Sequence, residues 1–227
     1  MDNKYKLTDE TIEFNGVKLY RIEALKDFSL VKKGDKGGFV QSERNLSHHG
    51  NCWIFHNAKA FRNSLVEANA VLSCNAQICD DAIASGYSFI TNDSIVCGRA
   101  VIYNQAKISH NAFIGGYAGV YGNSYITGFS KVVGHSNVTG NAEICNALIE
   151  KSSDYMVFQN WWSSLRHFTW TRSNNMWKVG CFYGTGKELI EKAYKDSELS
   201  GREYKRVVEY VESILRDENQ NKVIINL

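Results

Sequence analysis

The sequence predicts a mainly β chain: a parallel β-solenoid built from hexads, with an N-terminal cap and a small C-terminal α+β module. Two observations carry this. A small residue recurs every six positions without a miss, from Ala58, Ser64, Ala70 and Ala76 through to Ser136 and Ala142. Two residues after each stands an aliphatic one, from Ala60, Val66, Leu72 and Ile78 through to Val138 and Ile144. Positions i and i+2 point the same way only in extended chain. Each hexad is therefore a short strand with two inward side chains, followed by a three-residue corner. Three hexads close one triangular rung, and rungs stack in parallel.

Residues 1–45 precede the regular repeat. Thr11 to Tyr20 alternates around Asn15-Gly16 and reads as a hairpin with a tight turn. Val31 to Phe39, with Gly34, Gly37 and Gly38, reads as a turn-rich lead into the first rung, part of a cap over its open end. Residues 46–149 are the solenoid, about five rungs stacked at roughly 4.8 Å each. Its register slips by one at Ala147. Residues 150–227 carry Trp161, Trp162, Trp170 and Trp177 and change character. There, His167 to Val179 predicts a hairpin around Ser173-Asn174-Asn175. Thr185 with Glu188 predicts a capping box that opens a helix over Gly186–Lys195. Ser200 with Glu203 predicts the start of a second helix, with Tyr204, Val207, Val208, Val211, Ile214 and Leu215 at helical spacing.

The middle residue of each strand points outward, so residues eighteen apart share a column. One face carries Lys59, Gln77, Ile95, Phe113 and Lys131. A second carries Leu65, Ile83, Val101, Gly119 and Asn137. The third carries Val71, Phe89, Lys107, Tyr125 and Glu143. The three aliphatics of the second face predict a covered surface, and a second copy of the chain is the favoured cover over the two terminal segments. Two corners flank that face. One stacks Asn63, Asp81, Arg99, Tyr117 and His135, beside Asp80 and three glycines. The other stacks Tyr103 and Tyr121, with Tyr87, Asn104, Gln105 and Asn123 beside them. Arg99 offers paired donors to a phosphate or carboxylate, and tyrosine faces suit stacking. Asp81, Arg99, Tyr103, Tyr117, Tyr121 and His135 are thus the candidate ligand-binding set, for a small anionic, nucleotide-like molecule between subunits. In the competing reading Arg99 simply pairs with Asp81 one rung away and the tyrosines only pack.

Composition narrows the function. Lys+Arg 26 against Asp+Glu 24 gives no basic field for generic nucleic-acid or membrane-surface binding. No run approaches a transmembrane span. The charged start MDNKYKLTDE has no signal-peptide core, so the expected location is cytoplasmic, with reduced thiols. The six cysteines form no CxxC pair, and no zinc site is expected. Cys79 and Cys97 stack on adjacent rungs, either as a disulfide or as two thiols. His48-His49 reads as solvated. Gly184-Thr185-Gly186-Lys187 lacks the first glycine of a phosphate loop, Cys181 standing there, and reads as a turn into the capped helix. No cofactor is called for.

Hexads such as Ile108 to Ile114 and Val138 to Ile144 resemble those of left-handed β-helix hexapeptide-repeat proteins, and the left hand is what this resemblance implies. Leu19 to Phe28, Gly37 to Val40, Asn45-Leu46-Ser47 and Gly50 to Trp53 resemble a narrower group, the polymer-forming (YdcK-like) proteins of phages and prophages. Lys178 to Gly186 with its helices is similar to a module carried by such phage proteins. The resemblance implies a homotrimer in the host cytoplasm. It frames the leading expectation of a non-enzymatic protein that sequesters a nucleotide-derived host defence signal. The best-known hexapeptide-repeat proteins are acyltransferases that use acetyl-CoA or acyl carrier protein, with a histidine at the subunit groove deprotonating the acceptor. His110, which shares a corner column with His56, is the candidate base in that alternative. A purely structural or protein-binding solenoid is the third reading.

Overall fold

The computed structural model describes residues 3–225, with side chains to residue 218. By compactness the chain divides into two units, 1–156 with 171–174, and 157–170 with 175–227.

The first unit is the solenoid and its N-terminal arm. Strands β1 (Tyr5–Phe14) and β2 (Val17–Ala24) form the expected hairpin, with Phe14 opposite Val17. Asn15 and Gly16 both hold positive φ, as a type I′ turn requires. The segment read as turn-rich ends in a strand, β3 (Lys36–Val40), antiparallel to β2 and parallel to Lys59–Ala60. The repeat thus begins a rung earlier than its regular hexads. Gly37 and Gly38 are strand residues here, chosen for closeness. A Cβ on Gly38 would lie 2.4 Å from the Ala58 carbonyl oxygen, and one on Gly37 would lie 2.5 Å from Ile22 Cγ1.

From there the eighteen-residue step holds on all three faces. Lys59 pairs in parallel with Gln77, Ile83 with Val101, and Phe89 with Lys107. The third face is a six-stranded sheet and the second a five-stranded one. Inward alanines, serines and aliphatics from Ala58 to Ile149 are almost wholly buried. Several inward serines point their hydroxyl back to the corner three residues earlier, as Ser124 Oγ does to the Tyr121 carbonyl at 2.6 Å. The last hexad is one residue short: Lys131 pairs with Leu148, the slip expected at Ala147. Each corner holds one residue at φ near +60°, on a six-residue step that includes His56, Arg62, Ala68, Cys74, Asp80, Gly86, Asn92 and His110.

The ladder has a direction. Most rung-to-rung bonds run forward, as from Trp53 N to Ala70 O and from Phe89 N to Ala106 O, while the parallel registers point one N–H per strand back. The N-terminal end therefore presents mainly carbonyls and the C-terminal end mainly N–H groups. The chain supplies the matching chemistry at each. At the N-terminal end Lys4 Nζ, almost fully buried, donates to Cys52 O at 2.8 Å, and Tyr5 Oη donates to Leu46 O at 2.8 Å. Burial holds the Lys4 ammonium below its ordinary pKa. At the other end Ser152 Oγ accepts from Asn137 N at 2.9 Å, and the Asp154 carboxylate accepts from Glu150 N and Lys151 N.

The chain after the solenoid forms a four-stranded sheet from Tyr155–Gln159, His167–Thr171, Met176–Val179 and Phe182–Gly184. Helix α1 (Gly186–Asp196) follows, with the Thr185–Glu188 capping box in place. Helix α2 (Glu198–Ile225) starts earlier than Ser200. Ser197 Oγ accepts from Ser200 N at 3.0 Å, so Ser197 takes the capping role and Ser200 lies inside the first turn. Phe168, Trp170, Trp177, Leu189, Tyr204 and Val208 are buried in this part.

Candidate functional site

Six of the sequence-predicted site residues fall into two places. At the corner before the second face, Asn63 Nδ2 donates to Asp81 at 3.0 Å, and Arg99 Nε lies 3.7 Å from Asp81 Oδ2. Arg99 Nη1 donates to Tyr117 Oη at 3.1 Å, and Tyr117 stacks on His135 with ring centres 4.7 Å apart. Arg99 and Tyr117 thus stand one rung apart, in a continuous ladder whose members engage each other while staying exposed. Tyr103 stands at the far corner, separated from Arg99 by about 13 Å of extended chain. With Tyr87, Gln105 and Asn123 it lines a cavity of about 410 Å³. Tyr121 folds across Gly119, where a Cβ would meet its hydroxyl at 2.4 Å. Leu65, Ile83 and Val101 between these corners are half-buried.

The larger groove, about 630 Å³, lies on the third face. It is lined by Phe89, Thr91, Asn92, Gln105, Lys107, Ser109, His110, Asn123, Tyr125 and Glu143. His110 occupies a left-handed corner, φ +59°, a conformation an L residue adopts at a cost. Its backbone N donates to Asn92 Oδ1 at 3.3 Å, one rung back. Its Nδ1 lies 2.9 Å from both Ser109 Oγ and Thr127 Oγ1. Ser109 Oγ also donates to Tyr125 Oη at 2.9 Å. Nε2 makes no hydrogen bond among the described residues. A hydroxyl can accept as well as donate, so Nδ1–H can be placed on a hydroxyl and Nε2 kept as a lone pair.

Sequence reasoning named His110 but missed its supports. The signal was present: Ser73, Thr91, Ser109 and Thr127 form a hydroxyl column at eighteen-residue spacing, each just before a left-handed corner. His56 and Ser73 repeat the pairing at the other end of the column, at 3.0 Å.

The cysteines are all free thiols. Cys79 and Cys97 do lie one rung apart. The hydrogen bond between them pushes the Cys79 thiol up and holds the Cys97 thiol below its ordinary value. No helix among the described residues is long and apolar enough to cross a membrane.

No family model matches the chain. A stretch of 91 residues is 32% identical to a curated protein of Escherichia coli (strain K12) described as "Uncharacterized acetyltransferase YdcK". The match takes in 37% of this chain and 26% of that protein, so the chain spans about a quarter of its relative's length. The chain is a hexapeptide-repeat β-solenoid with partial similarity to a protein described as an acetyltransferase.

Proposed function

We infer that the protein is an acyltransferase that works at the third-face groove. One observation carries this reading: His110 lines the groove with Nδ1 held by two hydroxyls and Nε2 unengaged. In this reading Nε2 takes the proton from an acceptor hydroxyl or amine as that oxygen or nitrogen attacks the thioester carbonyl carbon. The C–S bond breaks and the thiolate leaves, to be protonated in turn. Gln105, Asn123 and Lys107 supply polar contacts for the carrier. The similarity to a protein described as an acetyltransferase supports the same class. The test is release of free CoA from acetyl-CoA with a panel of small amines and hydroxyl acceptors, by wild type and by His110→Asn. Acceptor-dependent release that the variant lacks supports the reading; release that the variant retains in full would remove His110 from it.

The second reading is a non-enzymatic solenoid that sequesters a nucleotide-derived anion between the subunits of a cytoplasmic homotrimer, in a phage setting. The exposed Arg99–Tyr117–His135 ladder beside the half-buried second face favours it. It expects AMP or ADP to raise the melting temperature, since a ligand selective for the native state stabilises it. Arg99→Ala would abolish that rise. An identical rise in the variant would rule out the Arg99 corner, and a monomeric mass in solution would rule out the groove between subunits.

A further inference from the structure

The third face changes character half-way along. Its outward column reads Trp53, Val71 and Phe89, then Lys107, Tyr125 and Glu143, one residue per rung. The apolar half of the column has its own cavity of about 430 Å³, over Trp53, Phe55, Val71 and Phe89, with Leu30 and Val31 at its rim and His56 and Ser73 in its wall. Phe89 lines both this cavity and the His110 groove, so the two form one trough. The far end is walled. Trp53 is almost fully buried, edge-on to Phe28 at 5.3 Å and to Tyr5 at 6.2 Å between ring centres. Phe28 and Val31 pair across a tight turn that carries Leu30, an 86% exposed leucine, at its tip. From Lys107 to Trp53 is three rungs, about 14 Å at the usual strand spacing.

An acetyl group would leave this apolar stretch empty. We propose that the acyl donor is a thioester of a medium-chain fatty acid, with its chain over Phe89 and Val71 and its end against Trp53 and Leu30. The polar carrier then lies along Lys107, Gln105 and Asn123, and the thioester sits at the junction beside His110. This assignment rests on the acyltransferase reading. A chain of that kind matches the order of the column, polar then apolar, and the trough's closed end limits its length.

Calorimetric titration of the full chain with acetyl-, butyryl-, octanoyl-, dodecanoyl- and palmitoyl-CoA tests it. Affinity should rise by roughly fourfold per buried methylene, the value of a CH₂ taken from water, and stop rising between octanoyl and palmitoyl. Val71→Glu, on the outer surface of its strand, should bring the octanoyl-CoA Kd up to that of acetyl-CoA; Phe89→Ser provides a second, smaller truncation of the same wall. Equal affinity for every chain length, with CoA release still dependent on His110, overturns this inference and leaves the acyltransferase reading standing. No binding of any acyl-CoA overturns both. A Val71→Glu protein whose mass in solution falls while its chain-length preference stays intact also overturns it, because the trough would then be a contact between copies.

Discussion

His110 and His56 occupy the same corner column, three rungs apart, and both hold left-handed backbone. Each has a hydroxyl from the residue column beside it. They differ in one partner. His56 Nδ1 accepts from the backbone N of Cys74 at 3.3 Å, and a backbone N–H can only donate. That fixes the His56 lone pair on Nδ1 and its proton on Nε2, so the neutral ring presents a donor. His110 Nδ1 meets only hydroxyls, Ser109 and Thr127, so its tautomer is free to place the lone pair on Nε2. Two histidines that look equivalent in the repeat are thereby unequal as bases. What separates them is a single hydrogen bond, not the column they share.

The largest expected effect of this difference is on catalysis. His110→Asn, which keeps a residue tolerant of the left-handed corner, is expected to lower kcat by about 10²- to 10⁴-fold in CoA release, the usual contribution of a general base. With acetyl-CoA, whose acyl group is too short for the cavity that His56 lines, His56→Asn is expected to leave kcat within about twofold. Equal losses in the two variants would break the comparison. Next comes the hydroxyl pair. Thr127→Val together with Ser109→Ala removes the partners of Nδ1, and a loss of about tenfold in kcat is expected, equivalent to one hydrogen bond of ~1.4 kcal/mol.

A smaller effect falls on stability. His110→Gly and His56→Gly each relieve a left-handed L residue, worth about 1 kcal/mol, and each gives up two bonds at Nδ1, to Ser109 and Thr127 or to Ser73 and Cys74, so the melting temperature is expected to move by less than about 2 °C in either. Asp80, at another left-handed corner, gives the smallest and most conditional effect. Its carboxylate accepts from Gly98 N at 3.0 Å and pairs with Arg62 one rung back, which holds its pKa below the ordinary carboxylate value. A carboxylate depressed in the folded state stabilises above its unfolded pKa, about 3.9. That contribution fades as pH falls through the lower folded value. Asp80→Asn should therefore cost stability at neutral pH and narrow its deficit in acid, as read from unfolding midpoints on either side of pH 4.

Much of this was legible because the repeat is a coordinate system. Hexad spacing alone put Arg99 one rung from Tyr117 and Phe89 beside Lys107, and alternation around Asn15-Gly16 marked the hairpin turn. Other features depend on things spacing does not carry. Gly37-Gly38 reads as punctuation, yet in β3 those glycines answer a backbone and an isoleucine that come too close for a Cβ. Ser200 looks like a cap, but Ser197 reaches the free N–H first. Both rings face the next rung, and only side-chain geometry shows that His56 Nδ1 meets a backbone N–H there while His110 Nδ1 meets hydroxyls alone. The Arg99 corner is a self-engaged ladder, while the larger groove lies on the third face.

The opposite plugs on the two ends of the ladder bear on how long such a stack can be. A parallel stack offers any passing strand a ready template, and its two ends would join head to tail into a fibre. Here an ammonium and a phenol meet carbonyls at one end, where the β1–β2 hairpin continues the first face, and hydroxyls with a carboxylate meet N–H groups at the other. The side-chain groups end their ladders without extending them, because none can hand on the next row of bonds. Length is thus written into the chain as a pair of chemical stops, and losing either one would leave a growing tip.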